Sequence, residues 1–131
     1  PPIPGQTAAA NTALQPNAAK AVLEPEELCN IEAPAALRPM AEIWCDGGFF
    51  TKINISTDAN NFIVLQQLSK KGQRAWQNRK LDQLDRLRSL TDVMGMNNGM
   101  NVAFMLQDVD EQMLGGCVRK RGAPESTCDA L

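Results

Sequence analysis

The 131-residue chain has no histidine and no tyrosine. Without imidazole, the commonest general base and metal ligand near neutral pH is missing, and Ser-His-Asp and Cys-His catalytic arrangements are excluded. Aromatic residues make up 5% of the chain, two Trp and four Phe, which leaves few platforms for sugars or bases. No apolar run approaches the ~18 residues that a membrane-spanning helix needs. The net charge is −2, which argues against general nucleic-acid binding. There is no Gly-rich phosphate loop, because Gly95 and Gly99 flank Met96-Asn97-Asn98 without a following Lys-Ser/Thr. Catalysis, a resident metal and an organic cofactor are therefore not expected.

What is present is a globular composition, 44% hydrophobic and 21% charged. Four cysteines in a chain of this length point to two disulfides and an oxidising compartment: periplasm, extracellular space, or an organelle lumen or intermembrane space. The spacings Cys29–Cys45 and Cys117–Cys128 lack the short gaps of a zinc site. Each pair flanks a plausible turn, so local pairing is expected, and free buried thiols are the alternative. The start Pro-Pro-Ile-Pro suits a chain whose leader has been removed, or a cloned fragment.

Residues 1–24, rich in Pro, Ala and Asn, read as an extended arm. Residues 25–131 read as a single helical domain. "PEELC" suits a helix start, and "PMAEIWC" is a helix stopped by Asp46-Gly47-Gly48. "FFTKINIS" alternates like a strand but has no evident partner, so an extended loop fits equally well. Ser56, Thr57 and Asp58 read as N-caps of a helix over 58–93, with Phe62, Leu65, Leu68, Trp76, Leu84 and Leu87 on its stripe and a joint at Gly72. Residues 100–114 read as a last helix, through Val102, Met105, Leu106, Val109 and Met113. The expected fold is mainly α: a small bundle of three to four helices with an extended Pro-rich arm and two local disulfides.

Two features are candidate contact surfaces. Residues 70–88 carry Lys70, Lys71, Arg74, Arg79, Lys80, Arg86 and Arg88 against Asp82 and Asp85, a local charge of +5 in an otherwise acidic chain. Arg74, Arg79, Lys80, Arg86 and Arg88 are the residues expected to meet an acidic partner or an anionic surface; the plain alternative is a solvated helix face. Four of the six methionines, Met94, Met96, Met100 and Met105, fall within 89–106. Methionine fills irregular gaps and makes adaptable surfaces. The expected arrangement is a methionine-packed bend between two helices, with Met94 and Met96 as further partner contacts. A copper(I) thioether site and a calcium loop at "DVDEQ" are both disfavoured. The latter has Met113 and Arg119 where a calcium loop needs Gly and Glu.

"LDQLDRLRSLTDVMGMNNGMN", residues 81–101, resembles the minor-pilin subunits of conjugative type IV secretion systems. In that family a glutamine- and leucine-rich helix runs into Leu-Thr-Gly, then Arg-Gly-Met-Gly and an asparagine. Leu90-Thr91 and Met94-Gly95-Met96 carry the likeness; Asp92 replaces the glycine, and the arginine is missing. The resemblance implies a helical component of a periplasmic assembly. A Pro-rich arm before a helical bundle is also similar to small extrinsic subunits of photosynthetic membrane complexes. The expectation is a non-catalytic secreted or lumenal accessory subunit that binds protein subunits of a larger complex, including one at a membrane surface. The alternatives are a minor-pilin-like component and a small binder of an apolar ligand between helices.

Overall fold

The computed structural model describes residues 28–130. The expected arm at 1–24 and the expected helix start at Pro25 lie outside the described residues.

The chain opens with β1 (Asn30–Glu32), passes a 3-10 turn at Ala35–Leu37, and enters α1 (Arg38–Cys45). Pro39 in the first turn suits a helix start, and Gly48 at φ 77° helps turn the chain out of it. β2 (Phe50–Thr57) and β3 (Asn61–Leu68) follow as a hairpin. Its turn is organised by Asp58, whose Oδ1 accepts the N–H groups of Asn60 at 2.7 Å and Asn61 at 2.8 Å. Ser69 caps α2 (Lys70–Asn78) by accepting the Gly72 N–H through its hydroxyl. The backbone leaves helical geometry at Arg79 (φ −142°, ψ 49°), and α3 (Lys80–Asn98) begins. Gly99, left-handed at φ 60°, ends α3. β4 (Asn101–Gln107), β5 (Met113–Arg119) and β6 (Thr127–Ala130) complete the chain.

The strands form a single six-stranded sheet in sequence order. β1–β2 and β3–β4 are parallel pairs, joined by α1 and by α2–α3; the remaining neighbours are antiparallel. One face is the core. Ile53, Ile55, Phe62, Val64, Val102, Phe104 and Cys117 pack there against Ala41 of α1 and Leu87 of α3. Both expected disulfides are present. Cys29–Cys45 closes the β1–α1 segment, and Cys117–Cys128 joins directly paired residues of β5 and β6.

The structure overturns the helical bundle: the fold is a mixed six-stranded sheet with three helices. The expected helix over 58–93 is β3 followed by α2 and α3, and the expected helix over 100–114 is β4 and the start of β5. The reason lies in the second sheet face, which carries Ile63, Leu65, Ala103 and Met105 between the inward residues of β3 and β4. With apolar residues on both faces, steps of three and four are satisfied as readily as steps of two. Ser56 and Thr57 end a strand, and the residue that caps a helix is Ser69. Nor is there a methionine bend between helices. Met94 and Met96 lie inside α3, and the chain turns at Gly99 into a strand. "FFTKINIS" is a strand, with β1 and β3 as its partners.

A candidate binding cleft between the helices and the sheet

A cleft of about 210 Å³ is lined by residues of α2, α3 and the core face of the sheet. Gln66 and Leu68 of β3 and Leu106 of β4 line it from the sheet. Trp44 of α1, Trp76 of α2 and Phe50 of β2 add aromatic walls, and Gln83, Arg86, Leu87 and Leu90 line it from α3. Both tryptophans of the chain therefore belong to this one feature.

Local sequence explains how the walls are held. Gly72 lies so close to the loop before β2 that an added Cβ would sit 2.1 Å from the Phe49 carbonyl oxygen. Only glycine lets α2 start there, and one turn later Trp76 reaches the cleft with 4% of its surface exposed. The Ser69 N–H donates to the same Phe49 carbonyl at 2.9 Å, and the Ser69 hydroxyl donates to Gly48. Trp44 is set edge-on to the buried Phe104 ring, with centroids 5.7 Å apart and planes at 73°.

Gln66 is the unusual member. It occupies an inward position of β3, between the neighbouring-strand residues Ile53 and Leu106, where Val64 and Leu68 on either side are buried apolar residues. It is 3% exposed. Its amide makes no side-chain hydrogen bond among the described residues, yet it lines the cleft. Among the described residues the enclosed side-chain polar atom without a partner is Thr51 Oγ1, not the Gln66 amide. The amide is reached from the cleft, where an entering polar group can take the place of water.

The surroundings of the cleft are cationic. Lys71 lies 4.9 Å from the Phe49 ring centroid, and its Nζ donates to the Gly47 carbonyl at 3.0 Å. Lys80 lies 5.8 Å from the Trp76 ring centroid. Arg86 itself lines the cleft. Asp82 is engaged by Arg79 at 2.9 Å, which leaves Asp85 as the other α3 acid in this stretch.

The structure disperses the expected contact residues. Arg74, Arg79, Lys80 and Arg86 are exposed on α2, the joint and early α3. Arg88 is half-buried and donates to the Ser126 carbonyl at 3.2 Å, on the side of α3 away from Arg86. Met94 is half-buried against the main core, whereas Met96 is 64% exposed. Only Arg86 of this set lines the cleft. In the sequence alone Gln66 and Trp44 carry no site role, and Trp76 falls only on a helical stripe. The available signal was a glutamine interrupting an apolar alternation, which is visible only once residues 61–68 are read with the period of a strand.

A second polar cluster has a structural role. Asp92 of α3 accepts from the Ser126 hydroxyl, from the Ser126 N–H at 2.8 Å and from Arg119 at 3.3 Å. These donors, the Ser126 hydroxyl foremost, hold the Asp92 carboxyl below the usual carboxylate range. Arg119 also donates to the Ala123 carbonyl at 2.7 Å. The cluster ties the β5–β6 connection to α3. Asp108, in the β4–β5 turn, accepts the N–H groups of Asp110 and Gln112 at 2.8 and 2.9 Å. Among the described residues no three His, Cys, Asp or Glu side chains converge as a metal site, and no helix is long and apolar enough to cross a membrane.

The segment that resembles minor pilins is α3 with its Gly99 turn and the first residue of β4; its contribution to the cleft is Gln83, Arg86, Leu87 and Leu90. Comparison of the chain with protein-family models, curated proteins and solved structures finds no match.

Proposed function

We propose that this chain is a non-catalytic accessory subunit of a larger assembly in an oxidising compartment, and that it holds a partner protein by accepting one of its side chains in the cleft. The observation that carries the reading is the cleft itself: both tryptophans and Gln66, whose amide makes no side-chain hydrogen bond among the described residues, lie around one opening with Arg86 on it. Its volume of about 210 Å³ exceeds the roughly 150 Å³ cavity that takes benzene. It falls short of the roughly 300–1,000 Å³ typical of drug-sized ligands and cofactors. A single large side chain matches that size better than a lipid does, and this favours a protein partner over a free apolar ligand. The two disulfides support the compartment. The absence of histidine and tyrosine supports a binding role over a catalytic one.

The test is size-exclusion chromatography of native extract, following the wild-type chain, Arg86→Glu and Ala75→Phe. Ala75 lines the cleft and is half-buried, so the larger side chain fills the opening from its wall. The wild type should migrate with a large assembly and both variants as free chain. Migration of the wild type as a monomer, or of both variants with the assembly, refutes the proposal.

A further inference from the structure

We infer that the cleft selects a tyrosine side chain lying in an acidic stretch of the partner. The inference deepens the partner-binding reading above and rests on it.

Three independent features specify this occupant. The walls are aromatic, with Trp44, Trp76 and Phe50 around a space of about 210 Å³. A single ring fits that volume and can meet the faces and edges of its neighbours in offset or perpendicular contact. An alkyl chain would fill it without using that geometry.

The second feature is Gln66. Its amide carries both a donor and an acceptor, it is 3% exposed, and it has no side-chain partner among the described residues. A phenylalanine ring would seal this amide away from water and leave it unpaired. A phenol answers it twice: its O–H donates to the Gln66 carbonyl oxygen, and its oxygen accepts from the Gln66 amide N–H. Sites built around a buried polar group discriminate strongly against an analogue that lacks the matching hydroxyl.

The third feature is charge. Lys71 over Phe49, Lys80 over Trp76 and Arg86 in the lining place three cations around the aromatic walls. Asp82 is already engaged by Arg79. Carboxylates flanking the inserted tyrosine would meet this rim, and flanking lysines would be repelled. The chain contains no tyrosine of its own, so the occupant comes from another molecule.

The test uses the full chain and its own fluorescence. Both tryptophans line the cleft, so ring insertion changes their emission directly. The titrants are blocked tripeptides: Asp-Tyr-Asp, Asp-Phe-Asp, Asp-Leu-Asp and Lys-Tyr-Lys. Asp-Tyr-Asp should bind at least about tenfold more tightly than Asp-Phe-Asp. The preference over Lys-Tyr-Lys should shrink as salt is raised. Gln66→Met should keep Asp-Phe-Asp binding and abolish the preference for tyrosine. Arg86→Glu should weaken the two acidic aromatic peptides together. Equal binding of the tyrosine and phenylalanine peptides to the wild type overturns the inference without recourse to any variant. So does a tyrosine preference that survives Gln66→Met, or no emission change with any peptide. If the wild type co-migrates with an assembly and Ala75→Phe releases it, yet tyrosine is not preferred, the inference falls and the partner reading stands. If nothing co-migrates, the partner reading falls, and the inference falls with it as a statement about a partner.

Discussion

Replacing Gln66 by methionine should make the free protein more stable. Methionine has nearly the length and shape of glutamine and carries no group that needs a hydrogen-bond partner. Gln66 is 3% exposed on a strand whose other inward positions are Phe62, Val64 and Leu68. A fully enclosed amide without a partner costs about 1–3 kcal/mol. The cleft is open on one side, and water reaching the amide recovers part of that cost. The net gain for Gln66→Met should therefore lie near the lower end, about 1 kcal/mol. For a chain of 131 residues, 1 kcal/mol shifts the midpoint of thermal unfolding by about 3–5 °C, between the values for smaller and larger domains. Calorimetry with the disulfides intact measures the shift. A urea titration should show a higher midpoint with an unchanged slope, which separates a stability gain from a change in compactness. Alanine is the wrong substitution here, because its cavity cost would mask the sign. A lower melting temperature for Gln66→Met would mean that the amide stabilises the fold, and the argument that it is held ready for a ligand would fail.

Other perturbations have equally definite outcomes. Gly72→Ala should destabilise, although alanine is favoured over glycine in a helix by about 1 kcal/mol. The added Cβ would sit 2.1 Å from the Phe49 carbonyl oxygen, and overpacking of this kind costs about 1–3 kcal/mol. A rise in melting temperature would show that α2 can shift at no cost. The Asp92 carboxyl titrates below its usual value in the folded chain. Its contribution is therefore complete above about pH 4 and is lost as pH falls through the lowered folded value. Asp92→Asn should weaken the fold at neutral pH and flatten this part of the acid limb of a stability-against-pH curve; an acid limb parallel to wild type would contradict the assignment. Removing Cys117–Cys128 as a double alanine variant should cost about 3 kcal/mol by the chain-entropy argument, read as a lower urea midpoint. A loss well below 1 kcal/mol would show that the β5–β6 pairing constrains the chain without the bond.

Local chemistry made α1 and both disulfides legible in the amino-acid order. Pro39 at the start of α1, the Asp46-Gly47-Gly48 stop and the sequence separations of 16 and 11 between paired cysteines all act over short distances. The alternation of Ile53 and Ile55 marked β2 as a possible strand, but a strand is stable only with neighbours. Its neighbours are β1, about twenty residues earlier, and β3, whose own residues also fit a helical stripe. For β3 and β4, apolar residues on both faces removed the contrast that distinguishes one period from the other. Tertiary pairing decided between them: Val64 lies opposite Phe104 in a parallel register across 40 residues of chain. The candidate site follows the same division. The cationic stretch containing Arg86 was visible as composition, because charge can be counted without a fold. Trp44, Gln66 and Trp76 stand far apart in sequence and on three different elements. They line one cleft only because a parallel crossover carries α2 and α3 back over the sheet, where an ordinary glutamine becomes an inward-facing amide on the wall of the cleft.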